Sequence, residues 1–377
     1  MKVVIVAPVH IYDDVRVFRK EAVTLAAAGH EVILYARTPD GQPLTRDGVA
    51  VRPVTYRNRL QRFLQLPLVG HRAWREGADI YHVHNPDTIP IAVALKARRK
   101  RVIYDTHEDF RTEILLRQWL PGIIRRPAAA AVAGMEAAVA RIVDAVIVTQ
   151  EQLLERIPDA VVIGNPPIVD RPAGLAAAAR RDARARRPAR SLVLGYVGGL
   201  SKDRGLLRMV DLVAALQHHV PTRLLLIGPP VNDNALERAQ ERPGWEYVDH
   251  RGELPQEEAF AELAEADLGM ILFEDAASHR HIDPNKIYEY LALALPVVAT
   301  DFPTWRKRFA DTVVGLFVPA ASDAAAVATQ VAAFAADRVA LAEIGRTGAD
   351  FVWQQYSWQN QGAPLLLDLY ARVVGRA

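Results

Sequence analysis

Short, continuous apolar runs alternate along this chain with longer segments whose apolar positions recur every three to four residues. The first kind reads as buried strand and the second as helix. Val3–Ala7 is such a strand, Pro8 to Asp14 a loop, and residues 15–28 a helix closed by Gly29. Strands are predicted again at 31–36, 49–54, 79–84, 102–105, 144–149 and 161–163, with helices at 57–75, 88–98, 127–143 and 150–156. A second series places strands at 192–197, 223–227, 245–250, 267–273 and 297–299. Its helices are 206–219, 257–265, 323–346, 349–356 and 361–374. This alternation predicts an α/β architecture of doubly wound parallel sheets. Residues 170–190 are alanine, arginine and proline with little apolar bulk, which predicts an exposed linker between two domains, carrying at most a loose helix.

Size and composition agree with that division. A chain of 377 residues exceeds what one core usually serves, and half its residues are hydrophobic. The absence of cysteine excludes disulfides, thiolate catalysis and thiolate metal sites. The opening apolar run is too short for a signal peptide, and no run is long enough to span a bilayer. A cytoplasmic, non-spanning protein is expected. The first strand is not followed by Gly-x-Gly-x-x-Gly, so the dinucleotide fingerprint is missing.

Net charge is +2, but residues 51–126 carry fifteen Lys/Arg against seven acids. A basic surface of that kind suits anionic lipid, nucleic acid or an anionic acceptor. Residues 57–75 interleave arginines with Leu60, Phe63, Leu64, Leu66, Leu68 and Trp74, an amphipathic pattern that can lie on a membrane. Packing against its own sheet is the commoner fate of such a helix.

In parallel sheets ligands sit at the carboxyl ends of strands. That places His10, Asp13, Asp14 and Arg16 among candidates for lining a cleft, and likewise His107 with Glu108 and Asp109. His82 and His84 share one strand face. They lack a third metal ligand nearby in sequence, so packing is the expected role. Gly198-Gly199 would let a ligand approach the backbone, with Lys202 and Arg204 supplying positive charge. The stretch Asp283–Thr300 reads as polar loop, short helix and buried strand. A helix N-terminus there suits phosphate. Lys286 and Glu289 share a face, and Glu289 is placed to accept hydrogen bonds from a sugar diol.

Taken together these residues resemble the GT-B glycosyltransferases, above all the fourth family of retaining enzymes, group 1 glycosyl transferases, in its Pro-Asn-Lys-x-x-Glu subgroup. The resemblance rests on the His10–Asp14/Arg16 loop, Asp105-Thr106-His107-Glu108, and Val197-Gly198-Gly199 with Arg204-Gly205. It rests also on Gly252-Glu253-Leu254 and on Pro284-Asn285-Lys286-x-x-Glu289 with Pro296–Thr300.

The resemblance implies two Rossmann-like doubly wound domains facing a central cleft. The N-terminal, acceptor-side domain would span 1–168, the linker 169–190 and the donor-binding domain 191–357. Residues 358–377 would form a helix crossing back to the N-terminal domain. It also implies roles: His107, Arg204 and Glu289 catalytic, with Arg204, helped by Lys202, neutralising the donor diphosphate. Glu289 would bind ribose, and Asn285 and Lys286 phosphate and sugar. Gly252, Glu253 and Leu254 would meet the base, and His107 the transferred sugar. Asp13, Asp14, Glu108 and Asp109 would orient the acceptor.

Two positions depart from the family pattern. His281 stands where an acid is usual, leaving His281 or Asp283 to contact sugar hydroxyls, and Gly199 stands where arginine is frequent.

The implied reaction is transfer from a UDP- or GDP-sugar to a glycan, lipid-linked or small-molecule acceptor, retaining anomeric configuration by front-face attack. It needs no metal, and the chain contains no Asp-x-Asp. No cofactor and no nucleic-acid partner is expected. An anionic membrane surface, at the inner face of the cell membrane, is a candidate partner. The competing readings are a nucleotide-sugar 2-epimerase of the same shape and a catalytically silent glycan-binding subunit of a polysaccharide assembly complex.

Overall fold

The computed structural model describes residues 1–117, 120–186, 191–231, 234–275, 285–309 and 311–375. The chain divides into two compact units, Met1–Asn165 with Gln361–Ala377, and Pro166–Asn360.

The first unit holds β1 (Lys2–Ile11), β2 (Glu31–Arg37), β3 (Leu44–Arg46), β4 (Val49–Pro53), β5 (Ile80–His84), β6 (Arg101–Thr106), β7 (Ala145–Val148) and β8 (Val161–Val162). Their order is β3-β4-β2-β1-β5-β6-β7-β8, parallel except for the β3–β4 pair. Val3–Ala7 are fully buried because helices cover both faces of the sheet, so the strand needs no polar alternation. The strand order reverses between β1 and β5. In doubly wound sheets this is where the carboxyl ends leave a crevice.

The second unit holds β9 (Leu192–Val197), β10 (Thr222–Ile227), β11 (Val248–Gly252), β12 (Leu268–Ile271), β13 (Val297–Thr300) and β14 (Gly315–Val318). They run parallel in the order β11-β10-β9-β12-β13-β14, reversing between β9 and β12.

The predicted linker is a packed helix, Arg171–Ala185, of the second unit, not a loose and exposed one. Asp170 caps it, accepting from the Ala173 N–H at 2.9 Å. Its small residues permit close packing: Ala177, Ala178 and Gly174 are buried. A Cβ on Gly174 would stand 2.3 Å from the Ala292 carbonyl oxygen and 2.6 Å from Trp353. Arg181 is buried too, and donates to the carbonyls of Ala264, Ala266, Leu293 and Ala294. Low apolar bulk therefore signals close approach here, not exposure.

Other boundaries differ from the pattern, and the strand predicted at 245–250 begins only at Val248, after a 3-10 turn over Pro243–Tyr247. The predicted 323–346 helix is two, Ala324–Phe334 and Arg338–Gln355, because Asp337 caps Val339 and Ala340 and restarts the chain. The second of these runs on through the predicted break near 349. A helix at Phe110–Leu116 precedes Gly122–Ala140.

The last helix, Ala363–Gly375, belongs to the first unit, where the Tyr370 hydroxyl lies 2.8 Å from His82 Nδ1. The helix Arg59–Arg75 buries Leu66, Val69 and Ala73 and turns Leu60, Phe63, Leu64, Leu68 and Trp74 to solvent. Among the described residues no single helix is long and apolar enough to cross a membrane.

Candidate active site

In the first unit a polar network fills the carboxyl ends of β1, β5 and β6. Asp14 caps the next helix through the N–H groups of Arg16 and Val17, at 2.9 and 2.8 Å. Its other oxygen lies 3.0 Å from His10 Nδ1. Burial opposes ionisation of Asp14, but the His10 hydrogen bond and charge, with the capped N–H groups, hold its carboxyl down to about 2. His10 Nδ1–H therefore donates to Asp14, and His10 Nε2 lies 2.8 Å from Asn85 Nδ2. Asn85 has φ 70, a left-handed value uncommon for a side-chain-bearing residue, and the buried Thr88 hydroxyl bonds its carbonyl at 2.9 Å.

His107 sits after β6 with its side chain 13% exposed. Its Nε2 lies 2.9 Å from His84 Nδ1 and 3.6 Å from Asp105 Oδ1. Burial pushes His107 down to about 3 against the pull of Asp105, so the ring is neutral at pH 7. His84 is also lowered, by burial and the neighbouring His82. Beneath them Arg16 donates to Asp105 Oδ2 at 3.0 Å and to the carbonyls of Ile163 and Gly164. Its Nε stands 3.1 Å from Glu21 Oε1.

In the second unit the turn after β9 is glycine for steric reasons. A Cβ on Gly198, whose φ is 145, would stand 2.5 Å from Lys286 Nζ. A Cβ on Gly199 would stand 2.6 Å from Arg204 Nη1. Two cations thus converge on this Gly-Gly backbone. Burial lowers Lys286, with Glu289 opposing that shift and Arg204 adding to it. Tyr196, raised to about 12 by burial, donates to the Gly199 carbonyl at 3.1 Å. Gly205, with φ 79, lets the next helix start against the Leu272 carbonyl. Lys286 lies in the first turn of the helix Asn285–Ala292. Two cations against a half-buried Gly-Gly backbone, one of them carried by this helix, are a chemistry that can hold an anion.

Two family models match this chain. "Glycosyltransferase Family 4" covers residues 15–169 and "Glycosyl transferases group 1" covers residues 191–337. The chain belongs to the group 1 glycosyltransferases.

Solved structures share the GT-B fold at low identity. Sucrose-phosphate synthase from Thermosynechococcus elongatus is 18% identical, with TM-score 0.72 and all of both chains covered. A glycosyltransferase from Rickettsia africae is 14% identical, with TM-score 0.70 over 100% of this chain and 99% of that one. Anabaena HepE, solved with UDP, is 15% identical, with TM-score 0.67 over 98% of this chain and 100% of that one. No curated protein matches the chain.

Of the expected residues of this glycosyltransferase, Gly198, Gly199, Arg204, Lys286 and Glu289 come together in the second unit. Lys202 and Glu253 are exposed, and Leu254 packs on Leu225, Ile227 and Ala259. Gly252 joins the same strand-end row: its carbonyl accepts from Gly228, and Ile227 accepts from Gly198. Asn285 is the first described residue of its helix, while His281 and Asp283 lie outside the described residues.

In the first unit His10, Asp14 and His107 cluster. Arg16, expected to line a cleft, is instead buried, because its guanidinium is held by Asp105 and two carbonyls. Asp13 pairs with Arg19 and Arg46, and Asp109 with Arg156. Glu108 is exposed, and its carboxyl is raised by partial burial and by Glu113. His82 and His84 are fully buried, in keeping with the packed role expected of them. Glu21 and Asp105, distant in sequence, bring their carboxylates to the same point. Glu21 went unsuspected, because only the parallel strand order joins it to the histidines.

Proposed function

We propose that the chain moves a sugar from a nucleotide-diphosphate sugar, UDP- or GDP-linked, to a glycan, lipid-linked or small-molecule acceptor. The second unit takes the donor and the first the acceptor. The observation that carries this reading is the convergence of Lys286 and Arg204 on the Gly198-Gly199 backbone. Departure of a nucleoside diphosphate builds negative charge, and fixed cations stabilise it as it forms. That role is commonly filled by a divalent cation, and here two side-chain cations supply it. Support for a nucleotide donor comes also from HepE, whose crystals contain UDP and UDP-glucose.

Glu289 takes the ribose hydroxyls. Neutral His107 offers a ring nitrogen to a substrate hydroxyl without carrying charge. Retention at the anomeric carbon follows from the family resemblance. The exposed apolar stripe of Arg59–Arg75, a segment with no acidic residue, suits a lipid-linked acceptor at an anionic membrane on the cytoplasmic side.

The test is nucleoside-diphosphate release across a panel of nucleotide sugars and acceptors, with the product's anomeric configuration read by NMR. Release with UDP- or GDP-sugars supports the reading, and no release with any donor would remove it.

A further inference from the structure

Four side chains of the first unit meet at one fully buried point: Glu21, His82 and His84 from β5, and Asp105 from β6. One ligand-competent atom of each lies within 4.8 Å of the others. His82 and His84 stand two apart on the strand, so both rings fall on one face, with centroids 4.3 Å apart.

The hydrogen bonding is lopsided. His82 Nδ1 faces the Tyr370 hydroxyl at 2.8 Å, and His84 Nδ1 faces His107 Nε2 at 2.9 Å. The opposite nitrogens, both Nε2, have no hydrogen-bond partner among the described residues. The same holds for Glu21 Oε2 and Asp105 Oδ1, while Glu21 Oε1 meets Arg16 Nε at 3.1 Å. A buried polar atom without a partner is destabilising, and one ligand-competent atom of each of the four side chains faces the same point.

We propose that Glu21, His82, His84 and Asp105 hold a divalent first-row transition cation, zinc above all. The donor set is two imidazole nitrogens and two carboxylate oxygens, which suits zinc in four-coordination. His84 Nε2 lies 3.5 Å from Glu21 Oε2, and His82 Nε2 lies 3.7 Å from Asp105 Oδ2. A tetrahedron with bonds of about 2.0 Å has edges of about 3.3 Å, so side chains now up to 4.8 Å apart would rotate inward to close the shell. Tyr370 and His107 then hold the outer imidazole nitrogens, and Arg16 holds the carboxylates, as ligand-orienting partners do.

The cation would lie beneath the surface network, apart from the donor cradle, so the inference stands independently of the donor assignment. It has a consequence for His107. Metal on His84 Nε2 leaves the proton on Nδ1, which donates to His107 Nε2. The His107 proton then sits on Nδ1. The buried ion would thereby fix the tautomer of a substrate-facing histidine without touching substrate.

The full chain, produced with zinc and passed through a desalting column, should carry a single zinc ion by elemental analysis. Chelation should lower its Tm, and cobalt(II) added to the chelated protein should restore it and give the visible bands of a four-coordinate ion. His82→Gln/His84→Gln should lose the metal, while His71→Gln, on the exposed helix, should keep it. Zinc retained by the double variant would place it elsewhere and overturn the proposal. Should the double variant fail to fold, the wild type decides: cobalt addition without those bands and without a rise in Tm overturns it equally.

Discussion

Lys286 sets its Nζ 2.5 Å from the place a Cβ on Gly198 would occupy. The backbone there has φ 145, a region L-residues rarely enter. Gly198→Ala should therefore strain the turn and push Lys286 away from the cradle. The expected result is at least a tenfold weaker affinity for nucleoside diphosphate, about 1.4 kcal/mol. Wild-type affinity in that variant, by calorimetry, would mean the turn does not face the ligand.

Arg204→Ala, Glu289→Ala and His107→Ala should each lower transfer at least tenfold, about 1.4 kcal/mol of transition-state stabilisation, with circular dichroism unchanged. The split between constants separates the roles. Loss of Glu289 should raise KM for the donor, since ribose contacts persist from ground to transition state. Loss of Arg204 should reach kcat, because the diphosphate charge develops during the reaction.

Asp14 predicts an acid-side loss of stability. Its carboxyl is held at about 2 in the fold against 3.8 without it. A lowered carboxylate contributes stability above the unfolded value and loses it as pH falls from about 4 towards 2. Asp14→Asn removes that contribution and the helix cap. The variant should be about 1–2 kcal/mol less stable at pH 7 and show a flatter acid limb in urea denaturation. Parallel acid limbs for the two proteins would refute the assignment.

The helix that sequence pattern reads as a linker supplies another test. Arg181→Met would leave four buried carbonyls short of a donor, and should cost about 2–4 kcal/mol in unfolding free energy. An exposed linker would tolerate the change within about 0.5 kcal/mol.

These cases show what the sequence makes legible. Val3–Ala7 and Val297–Thr300 are buried on both faces, so they stand out as unbroken apolar runs, and the strand–helix alternation follows from them. Arg171–Ala185 was illegible because its burial comes from smallness, and alanine carries no pattern that separates close packing from exposure. The strand Leu44–Arg46 buries no residue fully, and so leaves no apolar signal.

The candidate site divides the same way. Lys286 and Gly198 are far apart in sequence, and only the family resemblance joined them before the fold did. Glu21, His82, His84 and Asp105 are brought together by the strand order alone, and no local spacing announces four ligands on three elements.

The basic helix predicts a surface activity. Phe63→Glu/Leu64→Glu places acids on the exposed apolar stripe and leaves Leu66, Val69 and Ala73 in the core. Wild-type protein should pellet with anionic vesicles at low salt and be released as salt rises, while the variant should stay in the supernatant. Equal pelleting of the two would count against this face.

The measurement that bears most directly on the central claim is isothermal titration of UDP and of GDP into wild type, Arg204→Ala and Lys286→Ala. At least one diphosphate should bind without added metal, and at least tenfold more weakly in each variant. Unchanged affinity in both variants, or binding only when a divalent ion is added, would contradict it.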